Sequence, residues 1–110
     1  MSKYLVLYKS SASAGEQMGG DPAQAEAAMG LWMAWMEKCG PALVDPGSPL
    51  GEATEVPSVA ARTGRHIGGY SILQGDSLEE IEGLLDGHPH FHAPDATIEV
   101  LEFLAVPGMS

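Results

Sequence analysis

The chain alternates between short apolar runs and stretches rich in Gly, Pro, Ser and Ala. Each apolar run carries a period that identifies its element. Lys3-Tyr-Leu-Val-Leu-Tyr-Lys9 is built of β-branched, aromatic and Leu residues between two lysines, which predicts a strand. Tyr4, Val6 and Tyr8 fall on one face, Leu5 and Leu7 on the other. A strand apolar on both sides calls for cover on both. Ser10 to Gly20 has no period and reads as a loop.

Asp21 as N-cap, Pro22 at the first helical position and Gln24 closing a capping box predict a helix start. Ala25, Ala28, Met29, Trp32, Trp35, Met36 and Cys39 recur at helical spacing as one apolar face, and Gly40-Pro41 stops the helix. Ala42 to Asp45 is a short strand, and Pro46 to Gly51 is a turn cluster. Glu52 to Arg62 reads as an irregular edge segment, because Pro57 has no N–H for an interior ladder. Thr63 to Gly68 is a loop, and Gly69 to Gln74 a further strand. Ser77 caps a second helix, with Glu80 reaching back, Leu78, Ile81, Leu84 and Leu85 as the buried stripe, and Gly87 as the stop. His88 to Pro94 is a loop, Thr97 to Leu104 is the last strand, and Pro107-Gly108 ends the order.

That succession is β-α-β-β-α-β, the order of a ferredoxin-like split unit. The expected class is α+β, with two helices on one face of a four-stranded antiparallel sheet. Two helices cover only that face. Tyr70 and Ile72 oppose Leu73 across their strand, so the second face is apolar as well. Another copy of the chain, sheet against sheet, is the simplest cover, and a homodimer is expected.

Composition narrows the functional classes. With 110 residues the chain makes one domain, 1–110, and 45% hydrophobic against 18% charged residues excludes a disordered chain. The formal net charge is -10, and the five cations Lys3, Lys9, Lys38, Arg62 and Arg65 are scattered. Without a basic patch, neither nucleic acid nor a membrane surface is an expected partner. The apolar run Tyr4 to Tyr8 is too short for a signal-peptide core or a span, so a cytoplasmic setting is expected. Cys39 has no second cysteine to bridge; it reads as a small buried apolar residue, with a nucleophile as the alternative. Gly19-Gly20 is not followed by a phosphate-binding motif.

Several segments together resemble the YCII-related family of dimeric α/β-barrel proteins. They are Lys3-Tyr-Leu-Val-Leu, Trp35-Met-Glu-Lys-Cys-Gly-Pro-Ala-Leu-Val-Asp-Pro-Gly, Gly68-Gly-Tyr-Ser-Ile-Leu-Gln-Gly-Asp-Ser-Leu-Glu-Glu, His88-Pro-His and Ile98-Glu-Val-Leu-Glu. They span nearly the whole chain, and Gly-Gly-Tyr-Ser-Ile with the following Asp-Ser-Leu is the most specific piece. The resemblance implies a homodimer, pairing as a dimeric α/β barrel, with a cleft between sheet and loops. Family members include cofactor-free enzymes acting on small organic molecules, among them a dehalogenase of chlorinated lactones. The family's enzymes resemble one another in a His on the first helix and an Asp in an Asp-Pro-Phe or Asp-Pro-Tyr motif after the second. Here the first helix carries no histidine, and His88 of His88-Pro89-His90 stands where that aspartate would.

His88, His90 and His92 alternate along one loop and admit three readings. They are polar loop residues bonded to backbone and water, an acid–base pair of imidazoles, or part of a metal site. No metal and no cofactor is expected. Pro89 holds His88 extended, which anchors it better than His92. The catalytic candidates are therefore His88 and His90; the ligand-binding candidates are Trp35, Asp45 and Tyr70. Asp45, before Pro46-Gly47, either orients a cleft imidazole or caps its own turn. The expected function is a cleft for a small organic molecule, where His88 or His90 moves a proton at an acidic carbon or lactone. The rival is a non-enzymatic binding or interaction domain.

Overall fold

The computed structural model describes residues 1–10, 22–51, 66–92 and 95–105. Among these residues the elements are β1 (Ser2–Ser10), α1 (Pro22–Cys39), a 3-10 turn (Gly40–Ala42), β2 (Leu43–Asp45), β3 (His66–Gly75), α2 (Leu78–Leu85), a second 3-10 turn (Pro89–His92) and β4 (Thr97–Glu102). The strands form one sheet in the order β2-β3-β1-β4 with every neighbour antiparallel. This is an α+β architecture compatible with a ferredoxin-like fold. No helix among the described residues is long and apolar enough to cross a membrane.

The alternation in β1 decides the layering. Tyr4, Val6, Tyr8 and Ser10 are buried, while Lys3 is exposed and Leu5, Leu7 and Lys9 are half-buried. On β3, Ser71 and Leu73 share the buried face, with Tyr70 and Ile72 on the opposite one. The core joins Tyr4, Val6, Tyr8 and Leu73 of the sheet to Trp35 and Cys39 of α1 and Ile81 and Leu85 of α2. Among the described residues no element covers the other face. There Leu5 stands between Ile72 and Leu101, and Leu7 lies opposite Tyr70.

The ends of α2 follow from sequence chemistry. Ser77 Oγ accepts the Glu80 N–H at 3.2 Å, and Glu80 Oε2 accepts the Asp76 N–H at 3.0 Å. Gly87 takes φ +72° just past the helix, the left-handed position that a glycine adopts without a Cβ penalty. Several boundaries differ from expectation. β1 runs from Ser2 to Ser10, so Ser10 is strand and not the start of the loop, and β3 extends past Gln74 to Gly75. Ala42 belongs to a 3-10 turn, because the chain past Pro41 tightens before it extends. β3 begins at His66 instead of Gly69, and the extra length carries a bulge: Tyr8 faces Gly69 but Lys9 faces Ile67. β4 stops at Glu102 rather than Leu104, although the Phe103 N–H still reaches Lys3 O at 2.9 Å. In α1 the inward face starts at Trp32; Ala25, Ala28 and Met29 are exposed. That helix also carries Leu31 and Met33 outward, so apolar residues surround it and period alone does not single out one face. The expected Asp21 cap, the Ser11–Gly20 loop, the Glu52–Arg62 edge segment and Pro107-Gly108 lie outside the described residues.

Candidate functional site

The turn after α2 sets the position of His88. With Gly87 left-handed, the His88 N–H donates to Leu85 O at 3.1 Å, and His88 O accepts from the Phe91 N–H at 3.0 Å. The backbone is thus tied on both sides, and the side chain turns inward with no exposed surface. Three rings enclose it: Tyr8 at 4.9 Å, Trp32 at 4.5 Å and Trp35 at 4.3 Å between centroids. Both indoles meet the imidazole edge to face.

Hydrogen bonding fixes the protonation state. His88 Nδ1 accepts the His90 N–H at 2.9 Å, so it carries no proton. The neutral ring then bears its proton on Nε2, which is buried with no hydrogen-bond partner among the described residues. The edge-to-face indoles suit a weak N–H···π contact there. Burial pushes the His88 pKa down to about 3, helped by the positive charges of a protonated His90 and of Lys38. At neutral pH this imidazole is uncharged.

His90 is also buried, but it points to the end of the sheet. Its Nε2 lies 3.0 Å from Lys9 O and 3.1 Å from Thr97 O. Both partners are carbonyls, so Nε2 donates to both. Lys9 and Thr97 face each other across β1 and β4, and His90 therefore clasps the end of that ladder. His92 closes the 3-10 turn, and its side chain lies outside the described residues.

Trp35 is held at two points. Its indole N–H donates to Leu84 O at 2.9 Å, and its ring lies against His88. Beside it is a depression of about 250 Å³ bounded by Leu31, Ala34, Lys38, Asp86, Gly87 and Pro89. The Lys38 ammonium donates to Asp86 O at 3.2 Å on its border.

Asp45 and Tyr70 belong to a different place. Asp45 Oδ1 accepts the Gly47 N–H at 2.8 Å, the turn-capping role and not that of an imidazole partner. Gly47 has φ +83°, and a Cβ there would lie 1.5 Å from Tyr70 O, so the turn needs glycine to rest on β3. Tyr70 itself sits half-buried on the open sheet face. The five candidates thus divide: His88, His90 and Trp35 gather on the helix-bearing side, while Asp45 caps the turn after β2 and Tyr70 lies on the opposite face of β3.

From the sequence Tyr8 and Trp32 read as core, and Ser71 is not singled out, yet all three belong to the cluster. Tyr8 donates its hydroxyl to Ser71 Oγ at 2.7 Å, because Ser71 Oγ itself donates to Pro46 O at 2.9 Å. Burial holds the Tyr8 phenol well above its usual range, so it stays protonated. Trp32 packs edge-on to Tyr8 at 5.0 Å. The one signal for these residues was polar groups, the Tyr8 hydroxyl and Ser71, on strand faces that otherwise read as core. Cys39 is buried, and burial raises its pKa, so the thiol form dominates. Among the described residues no three His, Cys, Asp or Glu side chains gather as metal ligands. No protein-family model matches the chain, and no curated protein matches it.

Proposed function

We propose that the chain acts as a homodimer of ferredoxin-like β-α-β-β-α-β subunits, similar to the YCII-related proteins, and binds a small organic molecule without moving protons through its histidines. The observation that carries this reading is the state of His88. Its Nδ1 is taken by the His90 N–H, its ring has no exposed surface, and its pKa falls to about 3. A general base works best with a pKa near the operating pH and within reach of its substrate. His88 has neither property, and His90 Nε2 is committed to two carbonyls.

What His88 does well is brace Trp35. A rigid indole at the edge of a largely apolar depression suits an aromatic or lactone ring, and the rim carries one charge of each sign, Lys38 and Asp86. The dimer is supported by the open sheet face, where Leu5, Leu7, Tyr70, Ile72 and Leu101 line up with no described cover.

The test is a thermal-shift screen of small lactones and aromatic acids, followed by tryptophan fluorescence with each hit. A hit should raise the melting temperature, perturb the indole emission and be recovered chemically unchanged. Turnover of a hit, with a His88-dependent rate profile centred near neutral pH, would overturn the binding-only reading. Sedimentation at micromolar concentration should give a species of twice 11.5 kDa; a clean monomer would refute the sheet-to-sheet pairing.

A further inference from the structure

The two nitrogens of His88 leave no room for a second proton. Nδ1 accepts the His90 N–H at 2.9 Å, and Nε2 already bears the proton of the neutral ring. An added proton has only the Nδ1 lone pair to enter, and there it would set one donor against another. The closed turn and a His88 imidazolium therefore exclude each other. Aromatic faces attract cations, but no ring contact relieves two facing donors.

The same bond reaches the sheet. Residue 90 gives its backbone N–H to His88 and its Nε2 proton to Lys9 O and Thr97 O, across the end of the β1–β4 ladder. Loss of the first hold loosens the residue that makes the second. The core that joins sheet to helices is built elsewhere, from Tyr4, Val6, Leu73, Ile81 and Leu85 among others. Around the imidazole, β1 presents Tyr8, whose phenol stays protonated, α1 presents Lys38 beyond the two indoles, and the turn itself presents His90. From α2 comes the Leu85 carbonyl, which takes the His88 backbone N–H and not the ring. Burial opposes a charge on His88 most, and Lys38 and a protonated His90 add to it.

We infer that the turn Pro89–His92 is an acid-released latch: when His88 takes a second proton, its ring leaves the cage of Tyr8, Trp32 and Trp35, and His90 lets go of the β1–β4 end while the sheet and both helices stay folded. The latch works whether or not the Trp35 depression takes a ligand. A freed imidazole takes its proton at about pH 6.5, and the caged one holds out to about pH 3. Between these limits each unit of acid multiplies the released population roughly tenfold.

Hydrogen exchange on the isotopically labelled full chain reads that population. Corrected for intrinsic rates, protection of the His90 and Phe91 amides should fall roughly tenfold per pH unit between about pH 6 and about pH 4. It should also stay well below the protection of the β1–β3 ladder amides. His88→Asn keeps an acceptor for the His90 N–H but has no titrating ring. It should abolish the pH slope at His90 while leaving every carboxylate in place. A slope unchanged in His88→Asn would overturn the latch, because carboxylates would then drive the opening. Equal protection at His90 and in the β1–β3 ladder would overturn it too, because the turn would open only with the whole chain. Should His88→Asn fail to fold, the imidazole nitrogen shifts of the parent decide: protonation of His88 with the His90 amide still protected refutes the latch.

Discussion

The two faces of the sheet are written in nearly the same alphabet and behave differently. Tyr4, Val6 and Tyr8 lie under helices, and every polar atom that the Tyr8 hydroxyl touches has a defined role in a chain ending at Pro46 O. Leu5, Leu7, Tyr70 and Ile72 show comparable apolar surface to no described neighbour. The helix face derives stability from packing within the chain, and among the described residues the other face has no such cover. Equal hydrophobicity in a strand therefore carries two meanings, and substitutions tell them apart.

The largest effect is expected on the covered face. Val6→Asp buries an unpaired carboxylate beneath the helices and should cost more than about 4 kcal/mol, enough to unfold the chain. Circular dichroism should show the loss. Ile72→Asp, on the open face, should leave secondary structure intact and abolish the proposed dimer in sedimentation. If Ile72→Asp unfolds the chain as Val6→Asp does, the two faces are not distinct in the way described.

His88 gives the next effect. Its pKa in the folded chain lies near 3, below the ordinary value of about 6.5, so the unfolded chain binds the proton first. The stability it contributes is complete above pH 6.5 and is lost as the pH falls toward 3. Denaturant titrations should show a slope approaching about 1.4 kcal/mol per pH unit inside that window. His88→Asn keeps an acceptor for the His90 N–H and should flatten that part of the slope. His88→Ala removes the acceptor and opens a cavity among three rings, at a cost of about 2–4 kcal/mol. His88 thus matters to the fold as well as to Trp35.

Smaller effects sharpen the contrast. Tyr8→Phe deletes one buried hydrogen bond while Ser71 still donates to Pro46 O, so about 1 kcal/mol should be lost in chemical denaturation. Cys39 should react with a thiol reagent far more slowly in the native chain than in denaturant, because the buried thiol resists ionisation. Rapid native labelling would mean that the core between α1 and the sheet opens readily.

Local chemistry was legible in the sequence where a few adjacent residues decide the outcome. The Ser77 cap with Glu80 and the helix stop at Gly87 both follow from neighbours in the chain. The alternation of β1 was legible too, as two apolar faces. What the sequence did not reveal was meeting. Tyr8, Trp32 and His88 come from a strand, a helix and a turn, and nothing local says that their rings stack. Nor does a local pattern say that His90 reaches back to the carbonyls of Lys9 and Thr97. Asp45 was open between two roles, and the close approach of Gly47 to Tyr70 decided for the turn. The inward face of α1 was overdrawn at Ala25, Ala28 and Met29, since a helix apolar on every side offers period little to detect.

The central place of β1 bears on how the chain comes to be folded at all. Leu5 pairs with Ile72 on one side and with Leu101 on the other, so β1 leaves the ribosome well before the segments that complete it. Its ladder is long-range on both edges, a topology that folds slowly because large loops must close before any pairing is rewarded. Until β3 and β4 emerge, Tyr4 to Tyr8 is an apolar strand with two bare edges in a nascent chain. Such segments recruit chaperones or aggregate. The two lysines that flank it, Lys3 and Lys9, stand where charges best keep a waiting strand from pairing with its neighbours' copies.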